Sequence, residues 1–269
     1  MRKIFCSLLF AISATYSGMA QTTVGLISNT TNSFEGYTLF GPQDSKNTYL
    51  INNCGDVVNT WTSTYNPGLS SYLLEDGNLL RTGRITGQGG GSGVVELFDW
   101  NGNLLWDYSV KNSHGRQHHD VELLPNGNIL LIVWDERTAA ELTDNGSSTT
   151  QSYINSEQIV EIQPDYSNNT ATVVWEWKAF DHLIQDAEPS KSNYGIVGDH
   201  PEKIDVNFLT HNKADWLHFN GVDYNAELDQ IIISNHNFSE FWIIDHSTST
   251  QEAASSTGGT YGQGGDLLY

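Results

Sequence analysis

The chain has 269 residues, 38% of them hydrophobic, long enough to bury the core of one large all-β domain or two ordinary domains. Its 12 basic and 32 acidic residues give a net charge of −20, a surface that repels nucleic acid and anionic lipid and argues against both as partners. An anionic substrate must therefore be drawn in by local groups rather than by the overall field.

The first residues read as an address. Met1-Arg2-Lys3 is a basic start, Ile4 to Ala14 is apolar, and Ser17-Gly18-Met19-Ala20 offers small residues for cleavage before Gln21. This pattern predicts a secretory signal peptide over residues 1–20 and an exported protein, periplasmic or secreted. Removing Arg2 and Lys3 would take the net charge to −22. No later stretch is apolar enough to span a membrane. Cys6 would leave with the signal, and Cys54, left alone, is expected to be buried and inert.

From there the sequence alternates apolar and polar residues in short runs separated by turn signals, with almost no helical periodicity. A first block holds Tyr49 to Ile51, a turn through Gly55, Val57 to Trp61, Tyr72 to Leu74, a turn through Gly77, and Leu79-Leu80. A second runs from Val95 to Phe98, through Gly102, then Leu104 to Trp106, Val121 to Leu124, Gly127 and Ile129 to Ile132. The corresponding turn glycines are 47 residues apart (Gly55, Gly102) and 50 apart (Gly77, Gly127). A third block takes Ile159 to Ile162, Val173 to Trp177, Gly221 to Tyr224 and Gln230 to Ser234, and a fourth begins at Phe241.

Asn-Gly and Asp-Gly turns mark hairpins, and four strands per repeat at this period predict the blades of a β-propeller, about four of them over residues 21–269. Trp61, Trp106 and Trp175 are expected to fill the space between blades. The irregular stretch at about 180–209 reads as an insertion inside the third blade, on the face where loops carry function. The run Gly89-Gly90-Gly91-Ser92-Gly93 lacks the lysine and helix of a phosphate loop, so it reads as a link between blades. The chain stops within a block, at Gly264-Gly265-Asp266-Leu267-Leu268-Tyr269, which leads us to expect a truncated propeller.

Chemistry concentrates in histidines at matching places in the repeat. His118 and His119 precede the strand from Val121, His218 precedes the strand from Gly221 with Asn220 two residues on, and His236 follows the strand ending at Ser234. Equivalent positions in neighbouring blades lie close around a central channel, so His119 and His218 should address one site, with an amide from Asn220 and His236 near the mouth. Such a set suits an oxyanion. Two other roles stay open at this point: a metal site built on His118, His119 and Asp120, and purely structural histidines. His114, His182, His200, His211 and His246 read as solvated, or as supporting the site from behind.

His118-His119-Asp120-Val121 followed by Leu124-Pro125-Asn126-Gly127-Asn128, Asp215-Trp216-Leu217-His218-Phe219-Asn220, Ser234-Asn235-His236-Asn237 and the Gly264 to Tyr269 block resemble the bacterial arylsulfotransferases, over a stretch from about Gly36 onward. The resemblance implies an exported six-bladed propeller enzyme that moves a sulfuryl group from a phenolic sulfate ester to a phenolic acceptor. It further implies a ping-pong reaction through a sulfohistidine, with no cofactor and small-molecule partners only. By position, His119 (with His118 as fallback), His218 and Asn220 would contact the sulfuryl group or the phenol oxygen. His236 stands where some members place an arginine. The nucleophilic histidine is expected beyond residue 269, so the 269-residue chain alone is expected to be inactive. The competing functions are a secreted propeller that only binds a ligand and, behind it, a metal-dependent hydrolase.

Overall fold

The structure is a computed structural model that describes residues 25–85, 91, 93–110, 115–209 and 214–269. The expected signal peptide, Gly89, Gly90 and Ser92 of the glycine-rich link, and His114 and His211 lie outside the described residues.

Four antiparallel sheets follow one another along the chain, each a meander whose strands pair in sequence order. The first holds β1 (Tyr37–Phe40), β2 (Asn47–Asn52) and β3 (Val57–Thr62). The second holds β4 (Asn66–Leu73), β5 (Leu79–Arg84), β6 (Gly93–Phe98) and β7 (Leu104–Ser109). The third holds β8 (Gln117–Leu123), β9 (Ile129–Thr138), β10 (Tyr153–Asp165) and β11 (Thr170–Lys178), with a short helix α1 (Ala139–Asp144) between β9 and β10. The first strands lie side by side, β1 against β4, β4 against β8 and β8 against β14, the strand that opens the fourth sheet. Successive antiparallel meanders, here of three or four strands, whose opening strands converge are the blades of a β-propeller.

The turns carry out what their residues dictate. Gly55, Gly77, Gly102 and Gly127 all have φ between 80° and 86°, and each amide closes its turn on the carbonyl three residues back. That backbone favours glycine strongly. The turns locate hairpins well but do not say which hairpins share a sheet. The sequence blocks straddle the observed sheets by one hairpin: Tyr72 and Leu79 open the second sheet rather than closing the first, and Val121 to Ile132 belongs with Ile159 to Trp177.

Tryptophans join the blades. Trp61, Trp106 and Trp175, on β3, β7 and β11, are 5% exposed or less. Their indole N–H groups donate across to the following sheet's territory: to the Asp99 carbonyl at 2.8 Å, the Thr170 carbonyl at 2.9 Å and Thr248 Oγ1 at 3.2 Å. Each ring fills an inter-blade gap and satisfies its one polar atom.

Residues 179–209 stand between the third and fourth sheets, not inside a blade as the sequence suggested, because β8 to β11 already complete the third sheet. They hold two single 3-10 turns and a parallel pair, β12 (Leu183–Ile184) with β13 (Ile204–Asp205). The fourth sheet is β14 (Phe219–Asn225), β15 (Gln230–Asn235) and β16 (Glu240–Asp245), followed by α2 (Thr250–Ala253). The Gly264 to Tyr269 block pins the intervening segment in place. His182 is fully buried against Trp177, its Nδ1 2.7 Å from Asp266 and its Nε2 2.8 Å from the Ala253 carbonyl. His182 is therefore not solvated, and its ring nitrogens are both taken up by Asp266 and Ala253. A Cβ on Gly265 would come within 2.0 Å of that same carbonyl, so only glycine fits. Cys54 is exposed, contrary to expectation, because the β2–β3 turn carries it outward.

Candidate functional site

The site is built on irregularities in two opening strands. In β8, Gln117 pairs with Val133 and Val121 with Leu131, so three residues, His118 to Asp120, face one on the partner strand. In β14, Phe219 pairs with Asn235 and Gly221 with Ser234, leaving Asn220 unpaired. Bulges of this kind re-aim side chains at the ends of strands. His119, within the first, and His218, just before the second, adopt left-handed backbone, with φ of 51° and 58°. Histidine tolerates that region better than most residues, yet the conformation costs free energy and clusters at functional sites.

The bulges bring the rings together. His119 and His218 meet edge to face with centroids 4.7 Å apart, and His236 stands 5.1 Å from His218. His218 Nδ1 lies 2.5 Å from Asp215 Oδ2, which fixes the ring and turns Nε2 away from the carboxylate. Asn237 holds the Asp215 segment, donating to the carbonyls of Asp215 and Trp216 at 2.7 and 3.1 Å. His236 and Asn220 are exposed, His119 and His218 half-buried.

Behind His119 the site is buried. His118 has no exposed surface, stacks on Trp134 at 4.4 Å, and has both nitrogens engaged: Nδ1 at 2.9 Å from His119 Nδ1 and Nε2 at 2.8 Å from Glu157 Oε2. The Arg116 guanidinium also lies over the Trp134 ring, 4.7 Å from its centroid. Glu157, from β10, is likewise fully buried, and its Oε1 accepts the Phe219 N–H at 3.1 Å. One carboxyl thus braces the His118 ring in the third sheet and the backbone beside His218 in the fourth.

Burial dominates the electrostatics. It drives His118 well below the ordinary histidine range, with the cations His119 and His218 would become adding to the effect. It drives His119 down to about 4, opposed by Asp215 and assisted by His218 and His236. Glu157 goes the other way, raised well above the usual carboxylate range by burial, while the Phe219 N–H works to keep it ionised. Both histidines are therefore neutral near pH 7, able to accept or donate a proton but carrying little charge of their own.

His119, His218 and His236 gather at one end of the opening strands with His118 behind them, and Asn220 stands exposed two residues beyond His218. The trio His118, His119 and Asp120 does not converge on a metal. Asp120 accepts from Tyr72 Oη at 2.6 Å, from its neighbour Val121 N–H at 2.9 Å and from Val222 N–H at 3.3 Å, tying three sheets together. Among the described residues no group of three or more His, Cys, Asp or Glu side chains is arranged to hold a metal ion. Sequence reasoning missed Asp215 and Glu157. The Asp-x-x-His spacing was a usable signal for Asp215; nothing local marks Glu157, which reaches the site only through the pairing of β9 with β10.

A family model described as arylsulfotransferase (ASST) matches residues 26–252 of the chain. No curated protein matches it. Among solved structures it is similar to hydrazine synthase of Kuenenia stuttgartiensis, at 14% identity and a TM-score of 0.48, covering 87% of this chain and 57% of that one. A protein of unknown function from Bacteroides caccae aligns at 12% identity with a TM-score of 0.43, covering 79% of this chain and 55% of that one. A putative 6-phosphogluconolactonase from Bacteroides fragilis aligns at 12% identity with a TM-score of 0.38, covering 78% and 47%. The chain thus spans about half the length of the solved structures it matches.

Proposed function

The chain belongs to the arylsulfotransferase family, and from that premise we propose that it binds a phenolic sulfate ester and takes part in moving the sulfuryl group to a phenolic acceptor by a ping-pong route through a sulfohistidine. The observation that carries the reading is the meeting of His119 and His218, 4.7 Å apart, with Asn220 in the β14 bulge two residues beyond His218. Sulfuryl transfer resembles phosphoryl transfer, with a loose transition state whose charge spreads over the equatorial oxygens. Catalysis then depends on holding donor and acceptor in line and on aiming N–H donors at those oxygens.

His218, oriented by Asp215, and the Asn220 amide supply such donors, and His236 adds a third at the exposed rim. His119 handles the proton that the departing phenolate gains and the incoming phenol loses. The covalent intermediate is assigned, as the resemblance implies, to a histidine following the Gly264 to Tyr269 block rather than to this cluster. Splitting the transfer in two lets one phenol leave before the next arrives. No described helix is long and apolar enough to cross a membrane, and export to the periplasm or beyond remains part of the proposal.

The test uses the full gene product with 4-nitrophenyl sulfate and no acceptor. A stoichiometric burst of nitrophenol, indifferent to chelators, together with a mass gain of one sulfuryl group on a histidine-containing peptide, is the expected result. Phenol release that requires a metal ion or a nucleotide sulfate donor, with no modified histidine, would overturn the reading.

A further inference from the structure

Two imidazole nitrogens 2.9 Å apart, His118 Nδ1 and His119 Nδ1, hold one proton between them: one nitrogen donates and the other accepts. The same constraint applies on the far side of His118, where Nε2 faces Glu157 Oε2 at 2.8 Å. The three groups therefore form a chain in which the state of one end dictates the state of the other. We propose that Glu157, His118 and His119 are a proton relay, and that the proton His119 exchanges with a phenol oxygen is stored on the Glu157 carboxyl. The identity of the phenol rests on the sulfuryl-transfer reading; the relay itself does not.

Two arrangements satisfy the contacts with both rings neutral. With Glu157 ionised, His118 Nε2–H donates to Oε2, His118 Nδ1 accepts from His119 Nδ1–H, and His119 Nε2 is left with a bare lone pair, a base. With Glu157 protonated, its O–H donates to His118 Nε2, His118 Nδ1–H donates to His119 Nδ1, and His119 Nε2 bears the hydrogen, an acid. A phenol proton converts the first into the second. It bonds to His119 Nε2, the His119 Nδ1–H bond breaks as that proton passes to His118 Nδ1, and the His118 Nε2–H bond breaks as its proton passes to Oε2. One proton enters, the carboxylate charge disappears, and neither ring becomes a cation. The reverse sequence delivers a proton to a departing phenolate.

The carboxyl is directed for this. Oε1 accepts the Phe219 N–H at 3.1 Å, an atom that can only donate, so the stored proton goes to Oε2, which faces His118. The charged and titratable groups around the chain are Arg116 beside His118, His218, His236 and Asp215 around His119, and Asp215 and Asp135 towards Glu157. Burial disfavours a cation on either ring, which leaves the two neutral-ring arrangements for the chain to exchange between, and it favours a proton on the Glu157 carboxyl. Glu157 and His118 touch no substrate in this scheme; they are positioning residues acting through His119.

The test is long-range ¹H–¹⁵N correlation of the histidine rings in the full chain across a pH series, with ¹³C detection of the Glu157 carboxyl. The relay predicts that His119 stays neutral while its proton moves from Nδ1 to Nε2 as pH falls, with the midpoint of the Glu157 titration. In Glu157→Gln the side-chain carbonyl takes the Phe219 N–H and the amide NH₂ donates to His118, so His119 should carry Nε2–H at every pH. An imidazolium at His119 well above pH 4, a midpoint separate from that of Glu157, or a bare Nε2 in Glu157→Gln would overturn it. The wild-type series decides even if that variant does not fold. In the full gene product Glu157→Gln should lower kcat about 10²-fold and erase the pH limb set by Glu157, with KM for the donor little changed. Coupled tautomers in a protein that never transfers sulfate would remove the functional reading and leave the relay. Transfer without that coupling would do the opposite.

Discussion

His119 and His218 take the same left-handed backbone, φ 51° and 58°, at the ends of adjacent opening strands, and their rings meet at 4.7 Å. A conformation that disfavours a side chain, repeated in two blades and converging on one point, is held there by its surroundings. Glu157 is the most direct of these, since its two oxygens grip the His118 ring and the Phe219 N–H. The strain can be measured apart from the function.

Replacing His119 with Ala or with Gly removes the same ring, but only Gly relaxes the backbone. His119→Gly should be more stable than His119→Ala by about 1 kcal/mol, the reverse of the usual order within a strand. Urea denaturation of the two variants checks this, and equal midpoints would mean that the left-handed backbone is not held under strain.

The rim histidine should limit affinity for sulfate. His236 is exposed, and an arginine there would be permanently charged and could fork onto two oxygens. His236→Arg should tighten binding of 4-nitrophenyl sulfate by about tenfold. Calorimetry on the two proteins measures the effect, and equal affinities would mean that the rim position does not meet the sulfate.

A second histidine should make stability depend on pH. His246 bridges Glu161 Oε2 at 3.0 Å and Asp229 Oδ1 at 2.7 Å, joining the third and fourth sheets. Burial opposes its charge, but the bonds to Glu161 and Asp229 prevail and raise its pKa above 6.5. Glu161 is opposed by burial too, yet the bonds from His246 and Asn128 lower its pKa below 4.5. The raised histidine contributes its full stability below about pH 6.5 and loses it as pH rises through the folded pKa; the depressed carboxylate contributes above about pH 4.5 and loses it as pH falls. The stability gap between the wild type and His246→Gln should therefore be widest between these limits and narrow at alkaline pH. Thermal melts across pH would show this, and a constant gap would contradict it.

The inter-blade tryptophans should be costly to remove. Trp106 is 1% exposed and donates to the Thr170 carbonyl at 2.9 Å, so Trp106→Ala leaves both a cavity and an unpaired acceptor. A loss of about 3–5 kcal/mol is expected in equilibrium unfolding. A loss below 1 kcal/mol would mean that the blades do not pack through this ring.

The strands, their turns and the tryptophan joints were legible because each depends on local pattern: an apolar run for Ile129 to Ile132, positive φ for Gly77 and Gly127, a large apolar ring at Trp61. The grouping of hairpins into sheets was not, since identical turns close hairpins within and across the expected blocks. The histidines were legible because the repeat places His119 and His218 at equivalent positions. Glu157 was hidden, because only the register of β10 against β9 sets it behind His118. The burial of His182 was hidden for the same reason: its partner Asp266 is far away in sequence, and only the folded chain joins them.

The most direct test of the account is to follow the histidine ring resonances of this chain while adding 4-nitrophenyl sulfate. Saturable shifts are predicted at His119, His218 and His236 and not at His182, and they should vanish in His218→Ala. Saturating aryl sulfate that leaves the His119 and His218 resonances unmoved would contradict the assignment of this cluster to the sulfuryl group.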